Sequence, residues 1–322
     1  MNTANLHAVI ISVLAAGFSA SSAAAEAFPS KPVRIVVPFP PGGASDALAR
    51  AMAGPLSRAL GQSVVVVNRP GANMIIGAEL VARSPADGHT VLIGGLVTMA
   101  ALRTNLPFDP INDFAQIVGI GTQPYVLSVH PSLPAKSIRE LIVLARRHPG
   151  EFTYSIPGYG FMQHLTAELF RLRAGIPMKP VVFQGGAPAT MAVVGGHVGV
   201  LVSTIASIAG FVPTGKLRAL AVTSQARSAV LKDVPTMMES GLPDFEMTGQ
   251  TGISAPAATP KAAIERLGAE IMRVVLLPEV KTRLTMDGYD VAPVAGSEYA
   301  AGLPARIQKI REIAREADIK LD

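Results

Sequence analysis

The sequence predicts an α/β protein with largely parallel sheets. Short runs rich in β-branched residues alternate with stretches that carry apolar residues at helical spacing, as in repeated strand–helix units. Two glycine-rich loops each lie between a strand pattern and a helix pattern: PPGGASD at residues 40–46 and PGYG at residues 157–160. The chain has 322 residues, 49% of them hydrophobic, and this length favours two globular domains over one.

The first 27 residues have the pattern of a secretory signal. An apolar stretch at residues 9–18 is too short to span a membrane and is followed by small residues with two Ala-x-Ala sites. Cleavage is expected after Ala25 or Ala27, although only His7 stands where signals usually carry positive charge. The chain has no cysteine, which excludes disulfides, thiolate catalysis and a lipid anchor on an N-terminal cysteine. We therefore expect an exported, soluble periplasmic protein that is not lipid-anchored.

The first part of the mature chain begins with a strand at residues 33–37. Apolar residues then recur every four positions from Leu48 to Leu60, which predicts the buried face of a helix that ends at Gly61. The next predicted elements are a strand at 63–67, a turn at 68–71, a helix at 74–83 and a strand at 90–94. A strand-like stretch at 115–130, interrupted by glycines and a proline, is the candidate for the first crossover between two domains.

The second part begins with a capping box, SIRE at residues 137–140, in which serine and glutamate satisfy free N–H groups at a helix start. This helix is expected to end near residues 148–150. Further predicted elements are a strand at 152–155, a helix at 161–174, a strand at 181–183, a turn at 184–188, and strands at 199–202 and 217–223. The return crossover is expected near residues 250–255, and helices from Lys261 and Ser297 close the chain.

The two glycine-rich loops predict an anion-binding cleft. A strand that turns through glycines into a helix directs free backbone N–H groups, and the positive end of the helix, at one place. We expect the N–H groups of residues 42–46 and 158–163 to meet carboxylate oxygens. Each charge-assisted hydrogen bond contributes ~1.5–3 kcal/mol, so a few of them give roughly micromolar affinity after the costs of association. This scheme requires no buried arginine.

Other kinds of site fit the sequence poorly. Neither loop continues into Gly-Lys-Ser/Thr, and the second lacks the third glycine of a dinucleotide-binding loop. The chain has no Gly-x-Ser-x-Gly motif, and its six histidines are too far apart for local metal-ligand spacing. Tryptophan is absent and aromatic residues make up 5%, which disfavours base stacking. The sequence therefore predicts a binding protein with no metal, no cofactor and no nucleic-acid partner.

Three polar residues at the loops have structural roles that compete with ligand binding. Ser45 either caps the helix or donates a hydrogen bond to the ligand. Asp46 either complements the positive helix end, with Arg50 as its i,i+4 partner, or points into the anion site, where a carboxylate would repel the ligand. His164 lines the ligand site or braces the second loop, with an ordinary satisfied histidine and a catalytic one as the alternatives.

The mature chain carries a further set of motifs: PSKPVR at 29–34, VPFPPGG at 37–43 with Asp46, NRPGA at 68–72, IGAE at 76–79, PADG at 85–88, PSLPAKS at 131–137, HL at 164–165 with ELF at 168–170, GKLRALAVT at 215–223, DVPT at 233–236 and ESGLP at 239–243. With these motifs the chain resembles the substrate-binding proteins of tripartite tricarboxylate transporters, the Bug or TctC-type receptors. The resemblance implies a monomeric, non-enzymatic protein with the periplasmic binding protein type II-like fold. Two α/β domains, at residues 28–122 with 252–293 and 123–251 with 294–322, would be joined by a two-crossover hinge, with the ligand cleft between them.

The resemblance also implies which residues bind the ligand. In the family the ligand lies against the first loop, the loop after the third strand and the helix start of the second domain, and ordered waters often bridge its distal carboxylate to the first loop. Carried over by position, the ligand-binding residues are Phe39, Pro40, Gly42, Gly43, Ala44, Ser45, Asp46, Leu96, Thr98, Ile156, Gly158, Tyr159, Gly160, Phe161, Gln163, His164, Phe183, Gln184, Gly185, Ala187 and Ser203.

Several departures from the family pattern bear on the ligand. Tyr159 stands where members commonly have a small polar residue, FQG at 183–185 replaces Tyr-Lys/Arg-Gly, and Asn-Met at 73–74 replaces a glycine pair. Val-Ser at 202–203 replaces Phe-Asp, which removes the carboxylate that would receive a ligand ammonium group. We therefore expect an acid without an ammonium group, either aromatic or of medium chain length, because Tyr159, Phe161 and the phenylalanine of FQG add apolar surface.

Two binding functions remain open from the sequence. The protein delivers a small mono-, di- or aromatic carboxylate to the membrane subunits of a transporter, or it presents the loaded form to a membrane sensor kinase. Neighbouring genes for two membrane subunits would favour transport, and a neighbouring kinase gene would favour sensing. A third possibility, a small-acid hydrolase, requires turnover that Ser45→Ala or His164→Ala abolishes.

Overall fold

The computed structural model describes residues 28–319, so the expected signal segment and its cleavage positions lie outside the described part. Within that part the strands are β1 (Val33–Val37), β2 (Val64–Asn68), β3 (Thr90–Ile93), β4 (Phe114–Val129), β5 (Thr153–Ile156), β6 (Lys179–Val182), β7 (Val200–Thr204), β8 (Arg218–Val222), β9 (Thr248–Pro256) and β10 (Asp290–Ala295). The helices are α1 (Ala44–Leu60), α2 (Ile75–Ala82), α3 (Leu96–Leu102), α4 (Ile138–Arg147), α5 (Met162–Ala174), α6 (Gly186–Val194), α7 (Ile205–Ile208), α8 (Lys261–Val275), α9 (Pro278–Met286), α10 (Gly296–Ala301) and α11 (Leu303–Glu316). No helix between residues 28 and 319 combines the length and the apolar character that crossing a bilayer requires.

The strands form one continuous sheet in the order β2–β1–β3–β9–β4–β7–β5–β6, with β8 and β10 also paired to β4. β1 is parallel to β2 and β3, which make up the first half of the sheet; β5 is parallel to β6 and β7, the second half. The joining strands are antiparallel: β9 to β3 and β4, and β4 to β7, β8 and β10. The expectation of largely parallel sheets therefore holds within each half and fails at the junction.

The direction of β4 explains why the two glycine-rich loops meet. This strand has 16 residues, pairs with β9 over its first part and pairs with β7 over residues 125–129. Because β9 is antiparallel to both β3 and β4, β4 runs in the same direction as β1 and β3, and it runs opposite to β5 and β7. The carboxyl ends of β1 and β3 therefore point toward the second half, and those of β5 and β7 point back toward the first.

Helix α1 forms as its sequence predicts. Its apolar positions from Leu48 to Leu60 are buried against the first half of the sheet. Gly61 ends the helix with a φ of 69°, a left-handed conformation that glycine adopts without strain, and its N–H donates to the carbonyl of Ser57. The helix start, after Gly43, is therefore held at the carboxyl end of β1 by its own buried face.

The capping box of α4 is also present, with one difference. The Ser137 hydroxyl accepts from the N–H of Glu140 at 3.1 Å, as expected. The Glu140 carboxylate, however, accepts from the N–H of Lys136 at 2.7 Å, one residue before the cap. Both bonds satisfy backbone donors at the helix start, so the boundary predicted from SIRE is confirmed.

The two stretches predicted as crossovers between domains, near residues 115–130 and 250–255, form strands β4 and β9. Gly119 of β4 and Gly252 of β9 lie opposite each other in this pair, and the ring of Tyr299 in α10 packs against both. A methyl group on Gly252 would come within 2.5 Å of the Tyr299 ring. Glycine is therefore required here so that an aromatic ring can lie directly on the backbone of the junction.

We predict that Gly252→Ala lowers the free energy of unfolding by about 1–3 kcal/mol, because a methyl group at this position overlaps the Tyr299 ring in a packed region. Denaturant unfolding measures the change. Gly210→Ala is the matched control, since a methyl group there meets nothing within 4 Å. If the two variants unfold with equal free energy, the Tyr299 ring moves to accommodate the methyl group without loss of stability.

Candidate functional site

A cavity of about 290 Å³ lies where the loops after β1, β3 and β5 meet. Eight of the residues predicted to bind ligand line it: Phe39, Gly43, Ala44, Ser45, Leu96, Thr98, Phe161 and Gln163. The junction strands and the C-terminal helices close its other end. The cavity is thus lined by two helix starts, one from each half of the sheet, and by a wall of residues from other parts of the chain.

The first loop offers free N–H groups to this cavity. Gly43, Ala44 and Ser45 line it at the start of α1, and their N–H groups have no protein acceptor in the described part of the chain. The first bond of the helix runs from the N–H of Ala47 to the carbonyl of Gly43 at 2.9 Å. Unpaired donors at a helix start carry partial positive charge, so this end of the cavity favours an anion.

Asp46 stabilises the first loop and does not line the cavity. Its carboxylate is 4% exposed and accepts hydrogen bonds from the Gly42 N–H at 3.0 Å, from Arg50 and from Asn68. Burial alone would raise the pKa of Asp46, but the bonds from Arg50, Gly42 and Asn68 outweigh burial and lower it. The N–H of Gly42, expected to face the ligand, instead donates to this carboxylate. The structure therefore shows the structural role predicted for Asp46, in which its carboxylate pairs with Arg50 at the start of α1.

His164 stabilises the second loop in the same way as Asp46 stabilises the first, by accepting a hydrogen bond from a glycine N–H group. Its ring is 4% exposed, and its Nδ1 accepts from the N–H of Gly160 at 3.2 Å, which places the proton of the neutral ring on Nε2. Burial lowers the pKa of His164, and the nearby Glu168 opposes this only in part. The N–H of Gly160 is therefore taken by the protein. The N–H groups of Phe161, Met162 and Gln163, all of which line the cavity, have no acceptor among residues 28–319.

Two contacts join the loops across the cavity. The rings of Phe39 and Phe161 lie 6.1 Å apart between centroids. The side-chain amide of Asn73 donates to the carbonyl of Tyr159 at 3.0 Å. The two halves of the sheet are therefore in direct contact through an aromatic pair and a hydrogen bond.

Asn73 and Tyr159 are two of the positions at which the sequence departs from the resembled family. Residues 72–74 all have positive φ values, between 44° and 77°, which is costly for side chains other than glycine, by about 1–3 kcal/mol at a strained position. Asparagine adopts this conformation more readily than most residues. The two departures contact each other, so the strained segment positions a side chain that donates a hydrogen bond to the opposite loop.

The loop after β3 contributes Leu96 and Thr98 to the cavity. Its helix, α3, begins after Gly95, whose φ is 90°, a conformation that suits glycine. The Thr98 hydroxyl donates to the Gly95 carbonyl at 3.1 Å. The hydroxyl of Thr98, a residue predicted to bind ligand, therefore stabilises the loop through this hydrogen bond.

The other predicted residues do not line the cavity in this structure. The N–H of Gly185 donates to the carbonyl of Pro157 at 3.2 Å, and Tyr159 is half exposed at the mouth. Ser203 is buried, and its hydroxyl has no partner in the part of the chain described. The full set outside the lining is Pro40, Gly42, Asp46, Ile156, Gly158, Tyr159, Gly160, His164, Phe183, Gln184, Gly185, Ala187 and Ser203. A direct role of these residues in binding stays a prediction.

The family model of the "Tripartite tricarboxylate transporter family receptor" matches residues 48–318. The chain belongs to this receptor family. It is 39% identical over 270 residues to the UPF0065 protein in the tcbD-tcbE intergenic region of Pseudomonas sp. strain P51, covering 83% of this chain and 80% of the relative. It is 32% identical to protein BugT of Bordetella pertussis over the full length of both. Among solved structures, R. palustris Rpa4515 with adipate superposes with a TM-score of 0.87 at 32% identity, covering 91% of this chain and 99% of that one.

These matches confirm that the receptor has the type II-like fold of periplasmic binding proteins, as the motifs implied. The matched proteins are solute-binding receptors of a transporter family rather than enzymes. The helix starts and junction strands described above therefore belong to a fold that periplasmic binding proteins share.

The far wall of the receptor cavity was not predicted from the sequence. This wall consists of residues from the junction strands, from the two positions just before β9 and from the C-terminal helices. Its members are Gln123, Tyr125, Glu246, Met247, Thr248, Gly249, Gln250, Thr251, Tyr299, Arg306, Lys309 and Ile310. The predicted crossover near residues 250–255 was a usable signal for part of this wall. Nothing in the sequence of α11 distinguishes Arg306 and Lys309 from ordinary surface cations of an amphipathic helix.

We predict that His164 makes the receptor less stable in acid. The folded-state pKa lies below the ordinary value of 6.5, so below about pH 6.5 the unfolded state binds more protons and the free energy of unfolding falls with falling pH. One histidine contributes at most about 1.4 kcal/mol per pH unit. His164→Asn keeps an acceptor near the Nδ1 position but cannot titrate, so its stability should depend less steeply on pH.

Denaturant unfolding between pH 4.5 and 8 measures this difference. His197→Asn, at an exposed histidine, is the matched control and should keep the wild-type profile. If His164→Asn and the wild type lose stability in parallel, the acid sensitivity arises elsewhere.

Proposed function

We propose that this receptor captures a small organic carboxylate in the cleft and delivers it to the membrane subunits of a tripartite tricarboxylate-type transporter. The observation that carries the proposal is that residues at the starts of α1 and α5 line the same cavity with N–H groups that have no acceptor among residues 28–319. Asp46 and His164 occupy the neighbouring N–H groups and leave these free. A carboxylate bound there gains charge-assisted hydrogen bonds from both halves of the sheet at once.

The lining supports a ligand with an apolar body and no ammonium group. Phe39, Met74, Leu96 and Phe161 supply apolar surface between the helix starts. The carboxylate of Asp46, in the first loop, does not line the cavity and is paired with Arg50, so it is not placed to bind a cationic group of a ligand. The R. palustris structure with adipate concerns an acid of this kind.

We further propose that ligand release uses the junction strands as a hinge. The two domains would be residues 28–122 with 252–293 and residues 123–251 with 294–322, after removal of a signal at residues 1–27. β4 and β9 are the segments that pass between the two halves of the sheet, and their glycines permit close packing of Tyr299. Bending at these strands would part Asn73 from Tyr159 and open the cleft mouth.

We predict that carboxylates raise the melting temperature of the receptor and that amines of matched size do not. A ligand at 100 times its Kd adds about 2.7 kcal/mol to the stability of the folded state. A thermal-shift screen of mono-, di- and aromatic carboxylates against the corresponding amines measures this. Stabilisation by the amines alone would contradict an anion site.

A second prediction removes one ligand-facing N–H group. Ala44→Pro takes away the N–H at the first residue of α1, a position that tolerates proline, and Gly43 before it already has an extended conformation (φ −83°, ψ 172°). Loss of one charge-assisted bond should weaken carboxylate binding by roughly 10-fold to 100-fold in calorimetry, with little loss of stability.

Two controls separate this effect from its side effects. Ala44→Val adds similar bulk but keeps the N–H group, so it should bind more tightly than Ala44→Pro. Lys261→Pro places proline at the first residue of α8, away from the cavity, and should leave binding unchanged. Equal affinity of Ala44→Pro and Ala44→Val would mean that the N–H group does not hold the ligand.

A further inference from the structure

Asn73 joins the two halves of the sheet without lining the cavity. It follows β2 in the first half, and its side-chain amide donates to the carbonyl of Tyr159, after β5 in the second half, at 3.0 Å. Its Oδ1 also lies 3.1 Å from the position that a Cβ atom on Gly158 would occupy. Donor and acceptor both belong to the protein, so this hydrogen bond needs no ligand to form.

The backbone around Asn73 is anchored in the first half. Residues 72–74 have φ values of 44°, 49° and 77°, a left-handed conformation that persists in residues other than glycine only where the surrounding structure enforces it. Met74 is buried, and its sulfur lies 3.1 Å from the position of a Cβ atom on Gly95 in the loop after β3. The strained segment is therefore fixed on one half and presents the Asn73 amide to the other.

Two further contacts across the cleft are apolar. The rings of Phe39 and Phe161 lie 6.1 Å apart between centroids, and the ring of Pro40 lies 3.5 Å from the Cβ position of Gly185. Apolar contacts are not directional and tolerate sliding, whereas a hydrogen bond weakens steeply below an angle of about 120°. The bond from Asn73 therefore depends more strongly on the relative orientation of the two halves than these apolar contacts do.

We propose that Asn73 and the Tyr159 carbonyl form a latch, which favours the arrangement with the two halves in contact in the free receptor as well as in the loaded one. A hydrogen bond between neutral groups changes an equilibrium by roughly 2-fold to 10-fold, so a receptor without the Asn73 amide opens more often by that factor. The inference rests on the proposed hinge at the junction strands. It goes beyond the proposed function, because it concerns the receptor before any ligand binds.

A single cysteine in the cavity reports opening in the absence of ligand. The chain has no cysteine, so Thr204→Cys introduces one reactive thiol. Thr204 lines the cavity and is 7% exposed. When opening and closing are faster than the reaction, a bulky fluorescent maleimide labels this thiol at a rate proportional to the fraction of open molecules. A rate that is linear in maleimide concentration verifies this condition.

The labelling rate is compared between Asn73→Gly, Asn73→Asp and the unsubstituted latch. Glycine adopts the same positive φ but has no amide, and aspartate keeps the shape of asparagine without its donor. Asn105→Asp makes the same chemical change at an exposed residue outside the cavity lining. In each background Thr259→Cys replaces Thr204→Cys as the matched control, because Thr259 is also 7% exposed but does not line the cavity.

We expect Thr204→Cys to be labelled roughly 2-fold to 10-fold faster in both Asn73 variants than in the receptor with the latch intact. Asn105→Asp should leave the rate unchanged. Thr259→Cys should be labelled at one rate in every background. Far-UV circular dichroism and melting temperature show whether each variant is folded.

The inference fails on any of three results. Equal labelling of Thr204→Cys with and without the Asn73 amide means that the hydrogen bond does not hold the halves together. A parallel rise at Thr259→Cys means that the substitutions loosen the whole fold. Labelling of Thr204→Cys as fast as that of free cysteine, with Asn73 intact, means that the reagent reaches the cavity without hinge motion. The assay contains no carboxylate, so these results are independent of whether the carboxylate screen succeeds.

Discussion

The direction of β4 relative to its neighbours is the constraint on which the site depends. One strand pairs in both halves of the sheet, parallel in direction to β1 and β3 and antiparallel to β7. The carboxyl ends of the two parallel groups must therefore face each other, and the helices that follow them must start at the same gap. Each helix start brings unpaired N–H groups with it. A gap lined by unpaired N–H groups from both halves is thus a consequence of strand direction before any side chain is considered.

Side chains then decide how many of those N–H groups are left for a ligand. Asp46 and His164 each accept a bond from a glycine N–H in the loop before their own helix, four residues earlier in both cases. Each residue is almost fully buried, so the bonded N–H group is protected from water. The loops are fixed in this way before a ligand arrives, which lowers the ordering cost of binding. The N–H groups of residues 43–45 and 161–163 have no such acceptor within the described part of the chain.

Local patterns were sufficient to predict the loops and their helices. The four-residue spacing from Leu48 to Leu60 and the SIRE box depend on neighbours in sequence, and both elements have the predicted boundaries within a few residues. The far wall could not be predicted in this way. Arg306 reaches the cavity only because α11 packs on α3 and Tyr299 lies on Gly119 and Gly252, contacts between segments far apart in the chain. Phe183 and Gln184 were predicted to bind ligand but do not line the cavity. Position in a family motif does not by itself determine which side chains reach the cavity.

The two ends of the cavity hold charge by different means, and this difference determines what each can recognise. Backbone N–H groups at a helix start favour any small anion, because they carry no side-chain identity. Arg306 differs from them, since its guanidinium is held by the Tyr299 ring and carbonyl, and its Nε is buried without an acceptor in the described part of the chain. The same ring lies on the paired glycines of β4 and β9. One aromatic ring therefore contacts both the guanidinium of Arg306 and the backbone of the strands that join the two halves.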